Sequence, residues 1–303
     1  MPYTLLETAK LSTDPLKKGV IETIARESEL LARMPFKSIN GTALKFNREG
    51  QLQSATWRQV NQSYSAQSAV LDPRVEQLFV AGGLSTVDRV QVIAEGNTNS
   101  VRATYDALFV KGIKKDIEDK LINGDNSADP AVPNGLKVRC ENSGQIIEAD
   151  SGASYALTLA KVDELLDMVP GGADYLLMNK YCRRKVSSLV RAAGQAIETV
   201  SGAFGRLLPA YAGVPIIPLE TNSQDEEILP FTEANLDSGN ASTSLYALRL
   251  GEDYFCGLNA GGGLAVMDQG LVGTMYTTVI EWVLGWCDFS PKACARLHGV
   301  KQL

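Results

Sequence analysis

Apolar residues recur along this chain at two spacings, every three to four positions in some stretches and every second position in others, and each switch marks an element. Leu16, Val20, Ile21, Ile24 and Leu31 share one helical face. Asp14-Pro15 before them reads as an N-cap followed by proline at the first helical position, which predicts a helix over 12–34 ending near Pro35. From Phe36 to Phe46 the pattern is strand-like, Asn47-Arg48-Glu49-Gly50 reads as a turn, and strand character resumes around Trp57. The next stretch, WRQVNQSYSAQSAV, places Gln, Asn and Ser on both alternating faces. It has no apolar face to bury, and an isolated hairpin is marginal in water. The β-rich return, VEQLFVAGGLSTVDRVQVIA, argues for an ordered arm whose missing surface is supplied by another chain.

The clearest element follows. Val101, Tyr105, Leu108, Phe109, Ile113, Ile117 and Leu121 repeat every three or four residues between cap candidates Asn97, Thr98 and Asn99 and the stop Asn123-Gly124. About 24 residues at about 1.5 Å each predict a rod of about 36 Å. The loop NGDNSADPAVPNG leads to a strand expected at Leu136–Cys140. An α/β region comes next. Thr158 caps a helix carrying Leu159, Val162, Leu165, Leu166 and Val169, which Pro170-Gly171-Gly172 stops. Tyr175–Met178 reads as a short buried strand, Asn179 caps a second helix through Val186, Leu189 and Val190 to Gly194, and GVPIIPLE is a further strand. A hairpin about Gly251 is expected from Ser244–Leu250 and Tyr254–Leu258, and long strands from Met275–Trp286 and Cys294–Val300. Long helix, α/β insertion and terminal strands together predict an α+β chain that leaves one domain and returns to it.

Composition narrows the function more than the fold. The chain has 303 residues, 45% hydrophobic and 21% charged, as a folded protein has. No window approaches the roughly 20 apolar residues that cross a bilayer. The start, MPYTLLETAK, lacks the basic and apolar regions of a secretory signal, so the expected compartment is a cytoplasm. The net charge is -6 with no basic block, which argues against a tight grip on nucleic acid, where clustered Lys and Arg neutralise phosphate. Five cysteines form no CxxC pair, and Cys287, Cys294 and the single histidine, His298, are spaced by seven and four, unlike a zinc site. Reduced, buried thiols and no metal are expected.

Candidate chemistry is sparse. His298 has no serine or cysteine motif beside it, so a packing or surface role is expected. Gly261-Gly262-Gly263 is followed by no GK[ST] and completes no GxGxxG, so it reads as a flexible loop crossing between domains. Asp225, Glu226 and Glu227 read as a solvated loop. No catalytic residue and no cofactor are assigned. Arg183, Arg184 and Lys185, beside Arg191, either meet an acidic surface on a neighbour or face water, and the sequence leaves both open. Arg48, Glu49 and Arg58 flank the tip of the proposed arm, where charges set register between subunits.

The order of these segments resembles the tailed-phage major capsid proteins that share the Hong Kong 97 phage fold. LLARMPFKSINGTALKFNREG with ATWRQVNQSY looks like that family's N-terminal arm and extended loop, and the helix at 98–122 is similar to its spine helix. NGL at 134–136 sits where such chains enter a strand. ADYLLMNKYCRRKVSSLV and GVPIIPLE resemble the axial domain, and ARLHGVK the last strand of the peripheral domain. The resemblance implies an α+β capsid fold with an N-arm (1–35), an extended β-hairpin loop (36–93), a peripheral domain (94–145 and 262–303) and an axial α/β domain (146–261). It further implies self-assembly into pentamers and hexamers of an icosahedral shell around double-stranded DNA, with the extended loop crossing onto an adjacent subunit. The virion is then the expected location, assembled in a bacterial host's cytoplasm, without membrane contact or sequence-specific DNA binding. Because the arm begins close to Met1, any scaffold is expected to be a separate protein, like portal and decoration proteins, or the chain is already mature. Lys45 lies in the loop where some members cross-link a lysine to an asparagine with the help of a glutamate, but neither partner has a match here. Lys45, Arg48, Glu49, Arg58, Arg183 and Arg184 are the expected inter-subunit contacts. Two rivals stand beside this reading: an encapsulin-type compartment holding a cargo enzyme, and a soluble α/β metabolic enzyme with a pocket of convergent polar groups.

Overall fold

The computed structural model describes residues 3–11, 14–51, 55–64, 70–94, 98–149, 155–234 and 240–302. The helix expected over 12–34 is two helices, Pro15–Glu27 and Glu29–Arg33, after a short helix Leu5–Leu11. The break is local chemistry. Ser28 takes extended backbone, caps the second helix through Leu31 N (3.1 Å), and donates its hydroxyl to Glu118 (2.5 Å) on the long helix. Ile21, Ile24, Leu30 and Leu31 are buried, so this segment packs on the body and is not a free arm.

The long helix Thr98–Asn123 has 26 residues, or about 39 Å. Val110, Ile113, Ile117, Leu121 and Ile122 face the core, whereas Tyr105 and Leu108, expected on the same face, are exposed. Its expected cap at 97 lies outside the described residues. The strand expected at Leu136–Cys140 is instead the helix Leu136–Ser143. Leu136, Arg139 and Cys140 are the buried positions, a spacing of three and four, and Gly144 ends the helix with φ +67.

Two sheets divide the strands. The first runs Phe36–Ile39, Phe255–Val272, Met275–Asp288, Phe79–Asp88, with a parallel first pair and antiparallel neighbours after it. Phe36 sits opposite Gly257, where a Cβ would strike its ring, and lies 5.3 Å from the Trp282 ring. Glycine there makes room for the aromatic that joins the N-terminal segment to this sheet. The second sheet runs Ile146–Glu148, Cys294–Lys301, Asn240–Leu248, Tyr175–Asn179, Val214–Leu219, Leu207–Tyr211, Glu198–Ser201, with Glu233–Ala234 beside Asn240–Leu248. Its parallel pair Tyr175–Asn179 and Val214–Leu219 is linked by the helix Lys180–Ala192, which Asn179 caps through Cys182 N (2.8 Å). The helix Leu159–Asp167, capped by Thr158, packs beside it. All five residues of Tyr175–Asn179 are buried, as expected for a strand covered on both faces.

Two expectations are corrected by this topology. Ser244–Leu250 and Tyr254–Leu258 form no hairpin, because Asn240–Leu248 lies between Cys294–Lys301 and Tyr175–Asn179 while Phe255 begins a strand of the other sheet. Gly261-Gly262-Gly263 is no crossing loop. It lies inside Phe255–Val272, where the register jumps from Asn259 opposite Leu284 to Leu264 opposite Trp282, and Gly263 takes φ +58. The first sheet starts its long strand at Phe255, and the terminal strand Cys294–Lys301 belongs to the second sheet.

Candidate assembly interface

Among the described residues, Ala43–Gln51 and Val70–Gln77 pair only with each other, as a two-stranded antiparallel ribbon. Asn47-Arg48-Glu49-Gly50, expected as a turn, continues the strand. Glu49 lies opposite Leu71 and Gln51 opposite Val70, so the glycine between them is absorbed as a bulge. The ribbon points residues 55–64 into solvent. Trp57 is 99% exposed and Val60 88%, and strand character does not resume there. Arg58 holds the turn locally: its guanidinium donates to the Gln62 carbonyl (3.1 Å) and lies 5.1 Å from the Tyr64 ring centre.

The root of the ribbon is built differently. Phe46 meets Phe289 edge-on at 4.8 Å, and Leu44, Phe46 and Leu78 pack on Ile39, Cys256, Leu258 and Cys287. Beside this contact four charges are drawn together. Arg139 donates to both Glu76 carboxylate oxygens (2.8 and 2.9 Å), to Asp288, and to the carbonyls of Asn134 (2.9 Å) and Trp286 (3.1 Å). Arg48 reaches the other Asp288 oxygen (2.5 Å) and donates twice to the Asp288 carbonyl. Burial opposes the charge on Arg139, but Glu76 and Asp288 outweigh it and push its pKa above the ordinary value. Arg48 and Glu76 stand on the two ribbon strands, Arg139 on the helix and Asp288 at the end of a long strand, so the cluster clamps the ribbon to the body.

A second buried cluster surrounds His298. Glu233 contacts its Nδ1 (3.2 Å), Arg296 (3.1 Å) and the Ser244 hydroxyl, and Arg296 also reaches Glu141 (2.7 Å). Serine, histidine and glutamate together suggest a nucleophile relay, but the geometry is wrong for one. Ser244 (3.4 Å) and Glu233 approach the same ring nitrogen, so His298 cannot pass a proton from one side to the other. Burial pushes the Glu233 carboxyl up. The hydrogen bond from His298, the charge of Arg296, the Ser244 hydroxyl and Lys137 override that and hold it at about 2. The cluster ties Asn240–Leu248 to Cys294–Lys301 and Glu233.

The expected contact residues therefore divide. Lys45 is exposed on the ribbon and Arg58 on its tip. Arg48 is turned toward Asp288 of its own chain and anchors the root. Glu49 lies in the ribbon backbone, and its side chain is outside the described residues. Arg183 and Arg184 stand on the helix Lys180–Ala192, away from the ribbon. Arg139, Glu76 and Asp288 were not anticipated, since their partners are 63 and 149 positions apart in the chain. All five cysteines are unpaired and buried, and Cys287 lies in a different sheet from Cys294 and His298.

Residues 13–158 match the family model described as Major capsid protein GP7. The holo-SrpI encapsulin complex from Synechococcus elongatus PCC 7942 is similar in structure, with a TM-score of 0.65 at 19% identity over 90% of this chain and 87% of that one. A structure from Mycobacterium phage Bobi gives 0.59 at 12% identity, over 89% of each chain. The capsid of the native GTA particle gives 0.57 at 12%, over 87% and 86%. Its fold is the Hong Kong 97 capsid fold. None of the curated proteins matches this chain in sequence.

Two outcomes are expected from these clusters. Arg139→Met leaves the Glu76 and Asp288 carboxylates without their guanidinium, and urea unfolding of dissociated subunits should show a loss of about 3–5 kcal/mol. Glu233 contributes stability that is complete above pH 4.5 and is lost as pH falls through about 2, a window worth about 3 kcal/mol. Acid unfolding followed by circular dichroism should therefore be less steep between these values in Glu233→Gln.

Proposed function

We propose that this chain is the major shell protein of a tailed phage, joining copies of itself as pentamers and hexamers around double-stranded DNA. The observation that carries the reading is the ribbon. It has a firm root, no covering layer of its own, and a tip that presents Trp57, Val60 and Tyr64 to solvent. An isolated two-stranded ribbon of this kind is marginal alone and is completed when a neighbouring copy supplies the missing face. Lys45 and Arg58 lie on the surface that meets that neighbour. The first sheet and the long helix serve as the peripheral domain, and the sheet around Tyr175–Asn179 as the axial domain. Assembly takes place in the host cytoplasm, and the work is mechanical, not catalytic.

A second reading has its own support. The likeness to the SrpI encapsulin has the higher TM-score of the three described above, which favours a protein compartment holding a cargo. Contents separate the two. Purified protein is expected to elute as shells or as isolated pentamers and hexamers, seen by size exclusion and negative-stain microscopy, and native particles are expected to contain DNA. Native particles filled with a protein and free of nucleic acid would transfer the assignment to the compartment. A monomer or dimer at every concentration would overturn both and favour the soluble enzyme.

A further inference from the structure

The axial helices carry charge in an arrangement that works against their own dipoles. Helix Lys180–Ala192 contains five cations and no acid, with Lys180, Arg183, Arg184 and Lys185 crowded into its first two turns. Helix Leu159–Asp167 ends in exposed Glu164 and Asp167, with no basic residue in its last turn. A helix N-terminus favours anions and a C-terminus favours cations, so both placements are electrostatically unfavourable within one chain. The chain offsets them only in part. Lys180 pairs with Glu220 (2.9 Å) and Glu164 with Lys161 (2.9 Å), and Arg191 donates to the Ser187 carbonyl. Among the described residues, no carboxylate lies within 4 Å of Arg183 or Arg184, and no cation within 4 Å of Asp167.

The two helices pack over one face of the second sheet, the acidic one on Cys294–Lys301 and Asn240–Leu248, the basic one on Tyr175–Asn179 and Val214–Leu219. The acidic helix ends before the strand Tyr175–Asn179 and the basic helix begins directly after it, so the two charged ends lie toward opposite ends of that strand. Two complementary patches at different places on one subunit suit a head-to-tail contact, which closes into a ring when repeated by rotation. DNA is a poorer occupant for the basic patch, since the neighbouring acidic helix would repel a polyanion.

We propose that, in the rings of the shell reading above, on which this rests, Arg183 and Arg184 of one copy dock on Glu164 and Asp167 of the next. The test uses three full-length variants: Arg183→Glu with Arg184→Glu, Glu164→Lys with Asp167→Lys, and all four together. Circular dichroism and melting of dissociated subunits check the fold, and Glu164→Gln replaces Glu164→Lys if the new lysine beside Lys161 unfolds the helix. Each two-site variant should stay folded and lose shells by about tenfold or more, and the four-site variant should regain them, because like charges facing across a contact are strongly unfavourable. Folded two-site variants that assemble like wild type, or a folded four-site variant that recovers nothing, would overturn the contact. Normal shells that fail only to retain DNA would overturn it in favour of a nucleic-acid surface. Wild type run alongside keeps the two ideas apart. Without rings or shells in wild type the shell reading itself falls, whereas shells in every variant remove only this contact.

Discussion

One buried guanidinium governs how the arm leaves the body. Arg139 has five N–H donors, and all five are used: two on Glu76, one on Asp288, and one each on the carbonyls of Asn134 and Trp286. Taking such charges out of water costs several kcal/mol per ion, and the cost is recovered only when every donor and acceptor is met at once. That condition holds only if the ribbon strand, the helix Leu136–Ser143 and the end of Met275–Asp288 are all in place together. The direction of the ribbon is therefore set by the body. Lysine could not substitute, because an ammonium lacks the planar fork that spans Glu76.

Stability is distributed accordingly. The body closes two cores, one around Trp282, Trp286 and the long helix, the other between the second sheet and the helices Leu159–Asp167 and Lys180–Ala192. The ribbon beyond Phe46 contributes to neither. It is tied down by ion pairs at its root and exposed at its tip. In the proposed shell a neighbouring copy completes the tip's surface, so apparent stability there depends on concentration.

Much of this was legible in the sequence, and the failures share a cause. The long helix, Tyr175–Asn179 with its Asn179 cap, Val214–Leu219 and the two last strands all announce themselves by local period and caps. The polar stretch after Trp57 also signalled a surface that its own chain does not cover. Leu136–Ser143 misled because Leu-Lys-Val-Arg alternates like a strand, whereas its helix is fixed by Gly144 and by the burial of Arg139. The glycine triplet and the residues about Gly251 misled because strand pairing with partners far along the chain overrode local turn signals. Arg48 was read as a surface charge, since nothing near it in sequence reveals Asp288, 240 positions away. Long-range ion pairs leave no periodic trace.

In the proposed shell the ribbon is anchored at its root and covered at its tip only by another copy. Amide hydrogen exchange, compared between assembled particles and dissociated subunits, tests this most directly. Residues 44–48 and 74–77 should be protected in both states, and residues 55–64 should exchange fast in the subunit and become protected in the particle. Equal, fast exchange of 55–64 in both states would contradict the account, because the tip would then have no partner.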